Sequence, residues 1–235
     1  MTTRTETKLL TDLGLAAFDT GGLRVTGISV DSRETREGHL FAALPGVNSH
    51  GADFAAQAVE RGAVAILTDR AGAAMLKDMS EITGIRIVTA EDPREALAFA
   101  AALWSEAQPE VIVAVTGTNG KTSVVTFTRQ LWAAMGAEAV NLGTTGVEGA
   151  MTMPLTHTTP EPVTLHNTLA QIADAGITHA AMEASSHGLR QRRLDGVRLS
   201  AAGFTNITQD HLDYHEDFDD YFDAKAELFS QRQDD

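Results

Sequence analysis

The sequence predicts an α/β protein that is built around a mainly parallel sheet. Strand-like and helix-like segments alternate along its 235 residues, a pattern typical of parallel sheets covered by helices. A largely apolar segment at residues 111–116 leads directly into a glycine-containing turn and then into a helix. Continuous apolar strands of this kind indicate a sheet that is buried on both faces.

The first part of the chain contains apolar segments that we expect to form short strands, at residues 39–43, 63–68 and 85–89. Between the first two, apolar residues recur at helical spacing over residues 52–61, and Gly62 ends this helix. Asp92 and Pro93 begin another helix with a capping carboxylate and a proline in the first turn. We therefore expect two domains, at residues 1–92 and 93–235.

The second part of the chain continues the alternation. After the strand at 111–116, we expect strands at residues 139–142, 178–183 and 201–207. Helices are expected at residues 122–135, 163–175 and 218–231. This order predicts that the second domain is a mainly parallel sheet whose first strand ends at the glycine turn.

The composition excludes several classes of protein. The chain has 32 acidic and 18 basic residues, a formal net charge of −14, which disfavours general binding of nucleic acid or of an anionic membrane. It contains no cysteine, which excludes disulfides and thiolate metal sites and fits a reducing compartment. No apolar stretch reaches the ~18–20 residues that span a bilayer, and the N-terminus lacks the apolar segment of a signal peptide. We expect a soluble, cytoplasmic protein.

Acidic residues are concentrated near the end of the sequence. Residues 210–235 hold ten of them against Lys225 and Arg232. A solvated acidic helix explains this composition, and a divalent-cation site is the alternative. By default, a lysine among such carboxylates forms a surface ion pair worth ~0–1 kcal/mol.

The turn after the strand at 111–116 has the composition of a phosphate-binding loop. Its residues are Gly117, Thr118, Asn119, Gly120, Lys121, Thr122 and Ser123. Glycines let backbone amides close around phosphate oxygens, and the N-terminus of the following helix favours negative charge. Lys121 can reach the β- and γ-phosphates, and the Thr122 hydroxyl can bind Mg²⁺. The general motif has a glycine where this chain has Val115, so the match is incomplete.

Two further candidate metal ligands lie at or just after the ends of later strands. Glu183 ends a predicted strand, at the edge where open α/β sheets bind ligands, and could share the Mg²⁺ with Thr122. His211 follows the next strand and could bind a second cation or form a structural hydrogen bond. We interpret His187 and His215 as structural histidines.

Four segments together resemble the Mur ligase family, ATP-dependent enzymes that form amide bonds in peptidoglycan synthesis. They are residues 116–122, residues 183–189, residues 31–33 with 38–46, and residues 210–215 with Lys225. The second segment resembles the branch that adds the third residue of the peptide. The resemblance extends over residues 28–230, and it departs from the expected pattern at His50 and His157, where many members have aspartate and some have asparagine.

The resemblance implies a set of binding residues. Contacts to the uridine nucleotide would come from Val30, Ser32, Val47, Asn48 and Ser49. The muramyl-peptide part would contact Thr158, Thr159, Ser185, Gln191 and Arg193. ATP would be held by residues 117–123, one Mg²⁺ by Thr122 and Glu183, and a second Mg²⁺ by His211. Lys225 matches the lysine that this family carbamylates with carbon dioxide, and as a carbamate it would become a metal ligand. The residues expected to act in catalysis are Lys121, Glu183, His211 and Lys225.

The resemblance also implies a reaction. ATP would phosphorylate the D-Glu carboxylate of UDP-N-acetylmuramoyl-L-alanyl-D-glutamate, the amine of an amino acid would attack the acyl phosphate, and phosphate would leave. The added residue is expected to be meso-diaminopimelate, with L-lysine as the alternative, and the protein to be a monomer. Because members of the family are about twice this length, we expect the chain to be an N-terminal part that does not catalyse ligation alone.

Other functions remain open. A folylpolyglutamate-synthase-like ligase also uses such a phosphate loop, but it should lack segments 31–33 and 185–188. The branch of the family that adds D-alanyl-D-alanine shares the N-terminal segment, but it is not expected to have the 183–189 string. An alternative outside the class of enzymes is that the chain by itself is a non-catalytic nucleotide-binding fragment.

Overall fold

The computed structural model describes residues 7–16, 22–210 and 214–230. The chain folds into two compact units that divide between Ser105 and Glu106. Each unit contains a parallel sheet with helices, which confirms the predicted α/β class. The division lies after the helix that begins at Pro93, rather than before it, because this helix packs against a 3-10 helix and a strand of the first unit.

The first unit contains a small parallel sheet. Its strands are β1 (Lys8–Leu9), β2 (Arg24–Val25), β3 (Gly27–Ser29), β4 (His39–Ala42), β5 (Ala65–Thr68) and β6 (Arg86–Thr89). Strands β1 and β2 form an antiparallel pair, and β3, β4, β5 and β6 form a parallel sheet in that order. The helices are α1 (Ala55–Glu60), α2 (Arg70–Met75), α3 (Lys77–Thr83) and α4 (Pro93–Ser105), with 3-10 helices at Thr11–Leu13 and Gly51–Phe54. Phe41 and Ile66 of the sheet share a core with Ala55, Ala58 and Leu76.

The second unit contains the larger sheet. Its strands are β7 (Val111–Thr116), β8 (Ala139–Gly143), β9 (Gly146–Gly149), β10 (His179–Glu183) and β11 (Ala201–Phe204). They lie in the order β11, β7, β10, β8, β9, and all are parallel except β9, which pairs antiparallel with β8. The helices are α5 (Lys121–Ala134), α6 (Pro162–Asp174), α7 (Ser186–Arg190) and α8 (Phe218–Ser230).

The strand order places a topological switch point beside β7. From β7 the chain crosses to β8, returns to β10 between them, and then passes to β11 on the opposite side of β7. In open α/β sheets, ligands bind in the crevice that such a reversal opens at the carboxyl ends of the strands. The glycine turn after β7 and Glu183 at the end of β10 both lie at this edge.

Every strand predicted from the sequence is present, with ends shifted by a few residues. The sequence did not predict the short strands β1, β2, β3 and β9 or the short helices α2, α3 and α7. Gly143 pairs with Gly146 across a two-residue turn, and β9 is short and rich in glycine, so it carries little of the apolar pattern that indicates a strand. Within the described ranges, no helix is long and apolar enough to cross a membrane.

A histidine lies inside the core of the second unit. Leu165 and Leu169 of α6 pack with Ile112 and Met182 of the sheet, and His166 between them is fully buried. Its Nε2 lies 2.9 Å from the carbonyl oxygen of Asp195. Burial lowers the pKa of His166 below its ordinary value of 6.5, and the carbonyl of Asp195 partly opposes this effect.

We predict that His166 makes the protein less stable in mild acid. Because the folded state binds the proton less readily than the unfolded state, the free energy of unfolding decreases as the pH falls below about 6.5. In His166→Gln, the side-chain amide can still donate to the Asp195 carbonyl. The part of the decrease in unfolding free energy that comes from His166 should therefore disappear. Urea unfolding at pH 7.5 and pH 5.5 checks this, and equal pH dependence in both proteins would contradict it.

Candidate functional site

The glycine turn after β7 is shaped by a close approach to the segment that follows β11. Gly117 has φ +135°, and a Cβ atom there would overlap the Thr205 hydroxyl, so only glycine fits. The Thr118 amide donates to the Asn206 carbonyl at 2.8 Å, and the Asn119 amide donates to Asn206 Oδ1 at 3.1 Å. These bonds hold the turn against the sheet, and α5 begins immediately after it at Lys121.

Lys121 folds back over the turn. Its Nζ donates to the carbonyls of Gly117 and Thr118 at 2.8 and 2.9 Å. Burial lowers the pKa of Lys121, while the charges of Glu183 and Asp210 oppose this shift. The ammonium group therefore lies at the N-terminus of α5, where its charge and the exposed amides of a helix end favour an anion.

Glu183 is the buried carboxylate of the site. It ends β10, is 2% exposed, and its Oε1 accepts hydrogen bonds from the Thr122 hydroxyl and the Thr144 amide, both at 3.0 Å. A Cβ atom on Gly143 would overlap this carboxylate, so glycine makes room for it. Both donors are neutral, and a buried carboxylate in such surroundings favours a cation nearby.

A cavity of about 570 Å³ opens beside these groups. The lining residues are Thr118, Asn119, Gly120, Lys121, Thr122, Thr144, His157, Thr158, Thr159, Glu183, Ser185, His187 and Arg193. The Thr159 hydroxyl donates to the Glu183 carbonyl at 3.1 Å and accepts from the Ser185 amide at 3.0 Å. Arg193 Nη1 donates to the Thr159 carbonyl at 2.6 Å. The arrangement presents a guanidinium and an ammonium to one cavity, which suits an anionic ligand.

Lys225 reaches the glycine turn from α8. Its side chain is buried, and Nζ donates to the Gly117 carbonyl at 3.0 Å. The ammonium lies 4.4 Å from the ring centre of Tyr221, whose hydroxyl shares a hydrogen bond of 3.0 Å with Thr118. Burial, and then repulsion by Lys121, lower the pKa of Lys225 to about 8. Lys225 is therefore not the surface ion pair that its acidic neighbours indicate.

The structure brings most of the predicted ATP and muramyl-peptide residues to this cavity, but not all of them. Ser123 is exposed, and neither it nor Gly117 lines the cavity. Gln191 contributes indirectly, because its Oε1 accepts a hydrogen bond from Arg193 at 2.8 Å. His211 lies outside the described residues. Within residues 7–16, 22–210 and 214–230, no three His, Cys, Asp or Glu side chains form a group that could hold a metal.

Sequence reasoning missed several residues of the site. Thr144 lines it from the β8–β9 turn, and Tyr221 and Asn206 hold the glycine turn. His187, which the sequence predicts to be structural, lines the cavity, and its ring centre lies 3.9 Å from that of Tyr214 with the two rings tilted by 34°. Thr144, Asn206 and Tyr221 belong to no local motif whose spacing indicates a ligand, whereas His187 lies within the 183–189 segment.

The first unit has a cavity of its own, of about 550 Å³. Its lining residues are Val30, Asp31, Ser32, Arg33, Phe41, Ala42, Leu44, Ser49, Gly51, Phe54 and Gln57. Of the predicted uridine-nucleotide residues, Val30, Ser32 and Ser49 are present, whereas Val47 and Asn48 lie at an exposed loop tip outside the lining.

Two polar contacts stabilise the lining of this cavity. The Ser32 hydroxyl donates to Gln57 Oε1 at 2.6 Å. Hydrogen bonds from Arg33 lower the pKa of Asp31 to about 2.

Family profiles match both units. The profile described as "Mur ligase middle domain" matches residues 115–235, and the profile "Mur ligase family, catalytic domain" matches residues 24–105. A protein of Brucella melitensis named UDP-N-acetylmuramoyl-L-alanyl-D-glutamate–2,6-diaminopimelate ligase is 54% identical over 217 residues, which are 92% of this chain and 43% of the relative. A Caulobacter vibrioides protein of the same name is 48% identical over 230 residues, 95% of this chain and 46% of the relative. The chain thus spans less than half the length of these curated relatives.

Solved structures give the same match. The structure of a UDP-N-acetylmuramoyl-L-alanyl-D-glutamate–2,6-diaminopimelate ligase has a TM-score of 0.76 and 29% identity, covering 94% of this chain and 44% of that chain. The structure of a MurF ligase from Thermotoga maritima in complex with ADP has a TM-score of 0.56 and 19% identity, covering 88% of this chain and 44% of that chain. The second match shows the fold alone.

With Mg-ATP as the probe of this cavity, we predict that Gly143→Ala lowers the affinity by displacing the Glu183 carboxylate from Thr122. Isothermal titration calorimetry should show an affinity lower by about tenfold, or 1.4 kcal/mol. Gly203→Ala is the matched control, because its Cβ would make only an ordinary 3.9 Å contact with Val115. Wild-type affinity in the Gly143→Ala variant would contradict a role for the Glu183 position.

Proposed function

Because the chain belongs to the Mur ligase family, we propose that it is the UDP-muramyl- and ATP-binding part of a ligase that joins 2,6-diaminopimelate to UDP-N-acetylmuramoyl-L-alanyl-D-glutamate. Its 54% identity over 217 residues to a ligase named for this reaction supports the proposal. The observation that carries it is the convergence of Lys121, Thr122 and Glu183, from two strand ends, on one cavity.

ATP is the ligand that the cavity of the second unit fits best. Its glycine turn and the N-terminus of α5 have the geometry that binds phosphate, and Lys121 supplies positive charge beside them. The triphosphate would displace Lys121 Nζ from the carbonyls of Gly117 and Thr118. Arg193 and Thr159, which line the same cavity, would face the carboxylate end of the muramyl dipeptide.

The donor set around Glu183 fits a magnesium ion. Mg²⁺ prefers oxygen ligands, and the Glu183 carboxylate and the Thr122 hydroxyl lie within 3.0 Å of each other in a water-accessible cavity. When bound there, Mg²⁺ would neutralise charge on the terminal phosphates. A second magnesium site that involves His211 stays a prediction, since this residue lies outside the described ranges.

The proposed reaction is the one that membership of the Mur ligase family implies. Transfer of the γ-phosphoryl group from ATP to the D-Glu carboxylate would form an acyl phosphate and release ADP. The neutral amine of diaminopimelate would then attack the carbonyl carbon, and phosphate and a proton would leave as the amide forms. The two anionic reactants repel each other, so the cationic Lys121 and Arg193 would hold them in line. No covalent bond to a side chain is needed at any step.

The cavity of the first unit is the proposed site of the uridine nucleotide. It is large enough for a nucleoside diphosphate and combines apolar walls, such as Phe41 and Phe54, with the polar groups of Ser32, Ser49 and Arg33. The exposed tip formed by Val47 and Asn48 would contribute only once a ligand is bound.

Lys225 is the proposed site of carbamylation. Carbon dioxide reacts with the neutral amine, and the pKa of about 8 leaves far more of the amine neutral near pH 8 than the ordinary value of 10.5 would. Loss of the positive charge also relieves repulsion between Lys225 and Lys121, which both contact the Gly117 carbonyl.

We predict that Lys121→Met weakens ATP binding by more than about tenfold, or 1.4 kcal/mol, because the positive charge beside the phosphates is lost. Calorimetry on the purified chain with Mg-ATP and with uridine diphosphate checks this. Uridine diphosphate affinity should not change, since it binds the other unit. Unaltered ATP affinity in Lys121→Met, or a wild-type chain that binds neither nucleotide, would overturn the proposal.

We further predict a carbamate signal from Lys225. Carbon-13 NMR after addition of labelled bicarbonate near pH 8 should show one protein carbamate that is absent in Lys225→Met. The matched control is Lys77→Met, which removes an exposed lysine of the first unit and should keep the signal. A signal that persists in Lys225→Met would exclude this lysine as the site.

A further inference from the structure

His50 occupies a fixed position between two helix starts in the first unit. It precedes the 3-10 helix Gly51–Phe54, and its Nδ1 accepts a hydrogen bond from the Ala52 amide at 3.0 Å. Because Nδ1 is the acceptor, the proton of the neutral ring lies on Nε2, which donates to Asp69 Oδ1 at 3.1 Å. The ring is mostly buried, with 16% of the side chain exposed.

The partner carboxylate is fixed in turn. Asp69 caps α2, and the same Oδ1 accepts from the Gly72 amide at 2.7 Å. This amide, together with His50, lowers the pKa of Asp69. A Cβ atom on Gly72 would overlap the hydroxyl of Thr68 and crowd the His50 ring, so glycine at this position admits the ring.

These contacts secure the loop at residues 45–50, which contributes Ser49 to the wall of the cavity in the first unit. His50 and Pro45 pair across the base of the loop, and the Gly51 amide donates to the Leu44 carbonyl at 2.8 Å. On the other side of the base, Arg94 donates to the Pro45 carbonyl at 2.5 Å. Ser49 and Gly51, on either side of His50, both line the cavity.

We propose that His50 is a positioning residue for the uridine-nucleotide cavity, acting through the loop at 45–50. It does not touch the nucleotide itself; its ring ties the end of the loop to α2 through Asp69, so that Ser49 is held at the cavity wall. This inference rests on the proposed function of the first unit. An aspartate at this position could accept the Ala52 hydrogen bond, but it would repel Asp69, whereas the histidine bonds to both.

The test compares His50→Ala with His39→Gln. His39 is a histidine of the same unit, on β4, that does not line the cavity. Calorimetry with uridine diphosphate should show affinity about tenfold weaker in His50→Ala and unchanged in His39→Gln, and Mg-ATP affinity should be unchanged in both. Thermal unfolding of both variants separates loss of positioning from loss of stability.

A second variant keeps the test valid if His50→Ala does not fold. His50→Asn retains an acceptor for the Ala52 amide but is too short to reach Asp69, so it should fold and still bind uridine diphosphate more weakly than the wild type. Wild-type affinity for uridine diphosphate in a His50 variant that folds would overturn the role of His50 but not the function proposed for the cavity. The same conclusion would follow if His39→Gln lost as much affinity at an equal loss of stability. A wild-type chain that binds Mg-ATP but not uridine diphosphate would instead refute the function proposed for the cavity, and the role of His50 with it.

Discussion

The hydrogen bonds to the buried carboxylate of Glu183 hold the candidate ATP site together. Thr122 belongs to the first turn of α5, Thr144 to the turn after β8, and Glu183 to the end of β10, so one carboxylate oxygen joins three segments of the second unit. Leaving such a group without a donor costs about 1–3 kcal/mol, and more for a charged one. The arrangement that satisfies the carboxylate in the folded chain also presents oxygen atoms to a cation. Stability and the proposed chemistry therefore depend on the same positions.

Acidic residues near the end of the sequence help to position α8. Asp220 pairs with Arg190 of α7 and with His215, and Glu227 bonds to Arg190 at 2.5 Å. These pairs hold α8 against α7, with Tyr221 and Lys225 directed at the glycine turn. Carboxylates that composition alone assigns to a solvated face thus help to bring Lys225 to a backbone carbonyl 108 residues earlier in the chain.

In both units, hydrogen bonds hold a turn or a loop beside the cavity, although the proposed ligands differ. In the second unit a glycine turn, braced through Asn206, forms the wall of the cavity. In the first unit Ser49 of the wall belongs to a loop whose ends are held by His50 and Arg94. In both cases the residues that would touch the ligand are supported by neighbours that would not, and sequence patterns did not identify Asn206, His50 or Arg94 as supporting residues.

The sequence by itself determined the α/β class, most strands of the two parallel sheets (all except β3 and β9), and the parts of the site that lie within one short segment. The turn at 117–123 and Glu183 were identified because a strand, a turn and a helix start in direct succession leave a pattern in adjacent residues. Only the tertiary structure decided the burial of Lys225, the contact of Thr144 with Glu183, and the link between His50 and Asp69. The physical reason is that these contacts depend on strand order and on the packing of helices between distant segments, and spacing along the chain does not encode which strand ends become neighbours.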